Sequence, residues 1–112
     1  MNDILAKTLF NKIERLEAFE ERLGVRFENI SLKVLDNGWV NLMFELHTDS
    51  TTLEETIKIE CTAYDVDGQI LEVETTYAIK DRFFVFEVFK LSFQEDGIAD
   101  KINKLRLYPK KH

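Results

Sequence analysis

A chain of 112 residues and 13.2 kDa suits one domain, and 45% hydrophobic with 32% charged residues is an ordinary soluble balance. No stretch approaches the roughly 20 apolar residues of a membrane helix, and Asp3, Lys7, Lys12 and Glu14 interrupt the run a secretory signal would need, so the expectation is a cytoplasmic protein without membrane contact. A lone cysteine excludes an internal disulfide framework, and a net charge of −6 repels phosphate backbones, so nucleic acid is not an expected partner.

Residues 1–24 read as an amphipathic helical segment. Leu5, Leu9, Ile13, Leu16, Phe19 and Leu23 recur at spacings of three and four, one stripe of a 3.6-residue helix running from 3 to 23. Gly24 suits the left-handed position that ends a helix. The period then changes to two, and residues 25–112 form the β part of a single folding unit. The first strand, Val25–Leu35, slips a register between Phe27 and Ile30, the mark of a bulge. Asp36-Asn37-Gly38 is a hairpin turn, and Trp39–His47 follows with Val40, Leu42, Phe44 and Leu46 on one face. After a polar loop, Glu55–Tyr64 places Ile57, Ile59, Cys61 and Ala63 together.

Asp65-Val66-Asp67-Gly68 turns the chain into Gln69–Ile79, where Leu71, Val73 and Thr75 oppose Glu72 and Glu74. The next strand, Phe83–Phe93, is apolar on both faces and is expected to be covered on both. A loop leads to the last strand, Lys101–Tyr108, which Pro109 ends because it cannot donate to a ladder.

These elements predict a mainly β fold: an antiparallel, Ig-like β-sandwich of about six strands with one N-terminal amphipathic helix. The helix stripe would then cover an outer sheet face, with the two-sided Phe strand as its natural support. The alternative is a cystatin-like α+β arrangement, one sheet wrapped on the helix. Charge is uneven along the chain: residues 24–98 sum to −9 and residues 99–112 to +4. Scattered over a terminal strand, the basic residues read as a solvated face.

The segment Cys61-Thr62-Ala63-Tyr64-Asp65-Val66-Asp67-Gly68 resembles the signature of bacterial FxLYD-type immunoglobulin-like domains. There a Phe-x-Leu-Tyr-Asp run closes a strand before a Gly-containing turn. Tyr64, Asp65 and Gly68 match, while Cys61 and Ala63 stand for the Phe and Leu. The resemblance covers about residues 25–108 and implies an Ig-like sandwich used for adhesion, assembly or scaffolding, with no catalytic residues to carry over.

No cofactor or metal is expected, because the residue patterns that would hold one are incomplete. The Asp65–Gly68 run lacks the first oxygen ligand and flanking helices of a calcium loop, and one cysteine with two distant histidines falls short of a zinc set. Cys61 falls on an apolar face, where a thiol stays protonated. Glu72 and Glu74 share a hairpin face and read as solvated. Phe83, Phe84, Phe86, Phe89 and Phe93 offer a pocket or a partner surface, filling the core being the plainer role.

The functional expectation is therefore a non-enzymatic protein-interaction or assembly module, binding a protein partner or itself. Leu9, Leu16, Phe19 and Leu23 on the helix and Trp39 after the turn are the candidate interaction residues, with a dimer through the helix as the simplest assembly. The alternatives are a domain binding a small apolar ligand, and an enzyme with a wrapped-sheet pocket.

Overall fold

The alternating strands do build two layers. The computed structural model describes residues 2–112. In chain order the elements are α1 (Asn2–Phe10), β1 (Ile13–Arg15), α2 (Glu17–Leu23), β2 (Val25–Val34), β3 (Val40–Thr48), β4 (Ile57–Tyr64), β5 (Ile70–Ala78), β6 (Phe86–Phe93), α3 (Ile98–Lys101) and β7 (Lys104–Lys111). One sheet has the order β1-β7-β4-β5 and the other β2-β3-β6. Strands β2, β3 and β6 stand where A, B and E stand in an Ig-like sandwich, and β7, β4 and β5 match F, C and C′. This is the sandwich the strand pattern predicts, not the wrapped sheet.

The inner faces supply the core. Phe27, Val40, Leu42, Phe44, Leu46 and Phe93 from one sheet meet Ile57, Ile59, Cys61, Leu105 and Leu107 from the other, all buried. Each large side chain removed from water contributes about 1.5–3 kcal/mol. Phe44 packs edge-to-face on Phe27 and stacks on Phe89. The expected bulge is present: the β2–β3 register shifts between Glu28 and Ser31. There Asn29 takes a φ of 53°, which asparagine tolerates better than most residues.

The helical segment departs from expectation. In place of one helix over 3–23, the stripe is cut by β1, which runs parallel to β7 with Ile13 beside Leu105 and Arg15 beside Leu107. Backbone bonds from Leu105 N–H to Lys12 O and from Leu16 N–H to Leu107 O hold it there. β1 thus fills the edge position that strand G takes in Ig domains. A tertiary contact explains the break: the carboxylate of Glu20, 3% exposed, accepts hydrogen bonds from Arg15 Nη2 at 2.7 Å and from the Phe27 amide at 2.9 Å. Arg15 Nη2 also donates to Phe27 O. This cluster ties β1, α2 and the start of β2 together, and a continuous helix would lose it. Gly24 does end α2 in the left-handed conformation, as predicted.

Pro109 does not end the last strand. β7 runs on to Lys111, with Pro109 opposite Ile59. Leu105 N–H points to the β1 side, so by the period-2 rule the nitrogen of residue 109 does too. β1 stops before that point, and the donor proline lacks has no ladder partner there to miss.

The β2–β3 hairpin is locked to the loop after β6. Gly97 N–H donates to Asn37 O, Ala99 N–H to Gly38 O, and the Trp39 indole to Asp96 at 2.8 Å. Gly38 has φ 84°, and a Cβ on it would sit 2.6 Å from Gly97 Cα.

Two stability outcomes follow from these contacts. Glu20→Ala strands Arg15 and the Phe27 amide, and urea denaturation should show a loss of roughly 2–4 kcal/mol, with Glu20→Gln losing less. Gly38→Ala adds a backbone clash to left-handed strain and should cost at least about 2 kcal/mol. Gly68→Ala, equally left-handed but in open space, should cost only about 1 kcal/mol. Equal losses at the two glycines would show that the hairpin does not dock as described.

Candidate interaction surface on the open flank

The two long sides of the sandwich are finished differently. On one side β1, α1 and α2 pack along β7 and β2. On the other, β5 and β6 are bare edges of their sheets. Of the twelve exposed large hydrophobic residues among those described, eight lie on β5, β6 or the segment joining them: Ile70, Val73, Tyr77, Ile79, Phe84, Val85, Phe86 and Val88. Those on β5 face outward from one sheet and Phe86 and Val88 outward from the other, so the apolar exposure is divided between the two outer faces beside the open edges.

The two-sided Phe strand is covered on one face only. Phe83, Phe89, Leu91 and Phe93 are buried, while Phe84 is 67%, Phe86 47% and Val88 61% exposed. The helices, expected to cover this outer face, lie on the opposite flank because the Glu20 cluster fixes α2 between β7 and β2.

Local geometry presents these side chains. Val85, a β-branched residue, has φ 64°, and Phe86 N–H donates to Phe84 O at 2.7 Å across it, a tight three-residue turn. Val85 is held in this costly conformation by bonds from its N–H to Thr51 O at 2.8 Å and from Thr48 N–H to its own carbonyl at 3.2 Å. The turn throws Phe84 outward. Phe86 stacks on His47, with ring centroids 5.1 Å apart and planes 13° from parallel. His47 Nε2 lies 2.8 Å from Glu45 Oε1, and Asn29 Nδ2 donates to the same oxygen. Those two hydrogen bonds hold the Glu45 carboxyl below its ordinary range. Phe86 is therefore held in orientation by the chain's own contacts.

On β5 the structure reverses the expected faces from Glu72 onward, while Leu71, at the bulge, still packs against the core. Glu74 pairs with Cys61 and Glu72 with Ala63, whose side chains point into the sandwich, while Val73, Thr75 and Tyr77 share the outer face with Thr62, Glu60 and Lys58. The β4–β5 register shifts between Ala63 and Tyr64, which settles which set points in. An edge strand with inward charges is a recognised guard against wrong pairing. Burial, and then the adjacent Glu72 carboxyl, raises Glu74 from 4.5 to about 7. Burial, with Glu74 adding to it, also pushes the Cys61 thiol up, which leaves it a poor nucleophile.

The residues expected to meet a partner are dispersed. Leu9 is 1% exposed in the core. Leu16 is half-buried, and Leu23 packs against the core. Phe19 lies at the surface, edge-to-face with Tyr108 and under the Arg22 guanidinium. Trp39 is half-buried and holds the hairpin through Asp96. The helix stripe is thus consumed largely by the chain's own packing. In the Asp65–Gly68 turn, Asp65 Oδ1 accepts from Asp67 N–H and Gln69 N–H, each at 2.9 Å, so this oxygen shapes the turn.

Elsewhere the outer face of the larger sheet holds an ionic cluster. Glu60 accepts from the Tyr108 hydroxyl at 2.7 Å and pairs with Lys58 at 3.0 Å. Burial works to raise its carboxyl, but those partners outweigh it and the net shift is downward. A cleft of about 450 Å³ opens beside Gly24, Thr48, Asp49 and Glu55, and another of about 530 Å³ lies between α1 and the β2–β3 hairpin.

The fold and this flank define a two-sheet, immunoglobulin-like β-sandwich with one edge pair left uncovered. Among solved structures, the chain is similar to a crystal structure of a DUF1425 family member from Shewanella sp. pv-4. The TM-score is 0.53 at 10% identity, over 79% of this chain and 78% of that one. A likeness at that identity is one of fold. No protein-family model and no curated protein matches the chain.

The raised Glu74 carboxyl has a pH consequence. Folded Glu74 keeps its proton up to about pH 7, where an unfolded glutamate has released it, so the folded state binds more protons between 4.5 and 7. Its stabilisation is complete below that window and is lost as pH rises through it. Glu74→Gln, which mimics the protonated form, should raise the melting temperature at pH 8 by roughly 2–4 °C and change it little at pH 4. An equal shift at both values would show that Glu74 does not titrate in this way.

Proposed function

We propose that this chain is a non-enzymatic protein-interaction or assembly module that works through its β5–β6 flank. The observation that carries the reading is the exposed Phe84–Val88 segment, held out by a strained backbone at Val85 on an otherwise filled sandwich. Strain of this kind costs on the order of 1–3 kcal/mol and persists only where the surrounding structure imposes it. Spending it to keep phenylalanines in water favours a role for them outside the chain's own core.

The FxLYD-type resemblance supports the same reading. Tyr64 closes β4 and Asp65 shapes the following turn. The use implied by that family, adhesion or assembly by an Ig-like sandwich, needs a surface and no reactive group. A homo-oligomer is the simplest form of such assembly, but the inward Glu72, Glu74 and Glu87 of this flank favour a different partner over a second copy.

A photo-crosslinking residue placed at Phe84 in cells that express the protein should yield one discrete adduct, of a partner or of a second copy. The same residue at exposed Lys33, on β2, should yield none. Adducts at Lys33 equal to those at Phe84, or none at Phe84, would defeat the reading.

A further inference from the structure

Building on that reading, we infer that the open edge of β6 receives an extended segment of a partner protein in which apolar and basic residues alternate. The free backbone comes first. Thr48 N–H bonds the carbonyl of Val85, so by the period of two Glu87, Phe89 and Leu91 bond β3, while Phe86, Val88, Lys90 and Ser92 aim their backbone groups at the open side. Phe86 N–H is already taken by Phe84 O. The free ladder therefore begins at Phe86 C=O and continues through Val88 and Lys90. A segment laid against it gains main-chain bonds, as in strand addition to a sheet edge.

The side-chain code follows from the faces. Phe86 and Val88 share the outer face of their sheet with His47 and Glu45. Outward side chains of an added strand lie beside these exposed apolar groups and are matched by valine, isoleucine or an aromatic. Inward side chains meet the flank between the sheets, where Glu87 points in beside Leu46, and Glu74 and Glu72 point in beside Cys61 and Ala63. Register places Glu87 toward the end of the sandwich where Thr48 and Ile57 lie, with Glu74 and then Glu72 toward the other end. None of the three is in a salt bridge among the described residues, whereas Glu20, Glu28, Glu45 and Glu60 are. The inward residues of the guest therefore meet Glu87 on β6 and Glu74 and Glu72 across the gap, over buried Phe89 and Leu91. Once Glu74 is ionised above about pH 7, these unpaired carboxylates suit lysine or arginine.

The same carboxylates argue against a second copy as the occupant. Antiparallel pairing of two β6 edges gathers the acidic flanks of both copies, adding like charge where a basic strand would neutralise it. Alternation is also what separates this guest from an amphipathic helix, whose apolar period of 3.6 does not match the edge.

The probes are a seven-residue peptide alternating valine and lysine, and the same peptide with glutamate for lysine, each titrated into the full chain at pH 8, where Glu74 is ionised, with backbone amide NMR as readout. The lysine peptide should shift amides from Val88 to Ser92 and slow their exchange, and should bind at least tenfold more tightly than the glutamate peptide. Val88→Pro removes an edge-facing donor without touching the β3 ladder and should weaken binding at least tenfold. Glu87→Lys leaves the backbone intact and should reduce or reverse the charge preference, which keeps the test sharp if the proline variant is unfolded. Equal binding of the two peptides, shifts away from β6, or charge preference unaltered in Glu87→Lys would overturn the inference. A discrete Phe84 adduct obtained alongside any of those results would leave the interaction reading standing and remove only this guest.

Discussion

The buried carboxylate of Glu20 governs how the sandwich is finished. By accepting from Arg15 and from the Phe27 amide it converts what would be one helix into a helix, a short strand and a second helix. That conversion puts β1 against β7 and α2 over the neighbouring edge, so one flank is closed by the chain's own N-terminal segment. A charge taken out of water is tolerated only when its lone pairs are used, and here both oxygens accept hydrogen bonds. Because the helices are spent on that side, none of the described elements covers the other.

The opposite flank carries the marks of an edge managed in two ways at once. Inward carboxylates on β5 and β6 discourage unspecific pairing. Yet the outer row of β6 opens with Phe86 and Val88 before Lys90, and its entry turn is strained at Val85 to hold Phe84 in solvent while His47 orients Phe86. A merely protected edge would not need an exposed aromatic pair fixed in place. At the start of β6 an inward acid, Glu87, lies between two outward apolar residues, Phe86 and Val88, and Glu74 and Glu72 on β5 add inward acid across the gap.

Much of the architecture was legible because a buried face imposes a period. Val40, Leu42, Phe44 and Leu46 declared β3 without ambiguity; the slip near Asn29 announced its bulge; Gly24 and Asp36-Asn37-Gly38 marked their turns. Three readings failed for tertiary reasons. The stripe from Leu5 to Leu23 fits a helix, but a strand slot beside β7 and a buried ion pair outweigh local preference at Ile13–Arg15. Pro109 looked like a terminator because the sequence does not reveal which side of a strand its nitrogen faces. The faces of β5 were assigned by hydrophobicity alone, and an edge strand beside an open flank need not follow it. The surface itself was half visible: the run from Phe83 to Phe93 is apolar on two sides, which signals two contacts but not whether the second lies within the chain.

By itself, then, the order of residues determined the strand-rich class, the turns and most of the core, since each follows from local periodicity and from the cost of leaving apolar groups in water. Which flank is sealed, which glutamates point inward and which phenylalanines stay outside were decided only in three dimensions. Those outcomes depend on long-range pairings, β1 with β7 and β4 with β5, whose register no local pattern encodes.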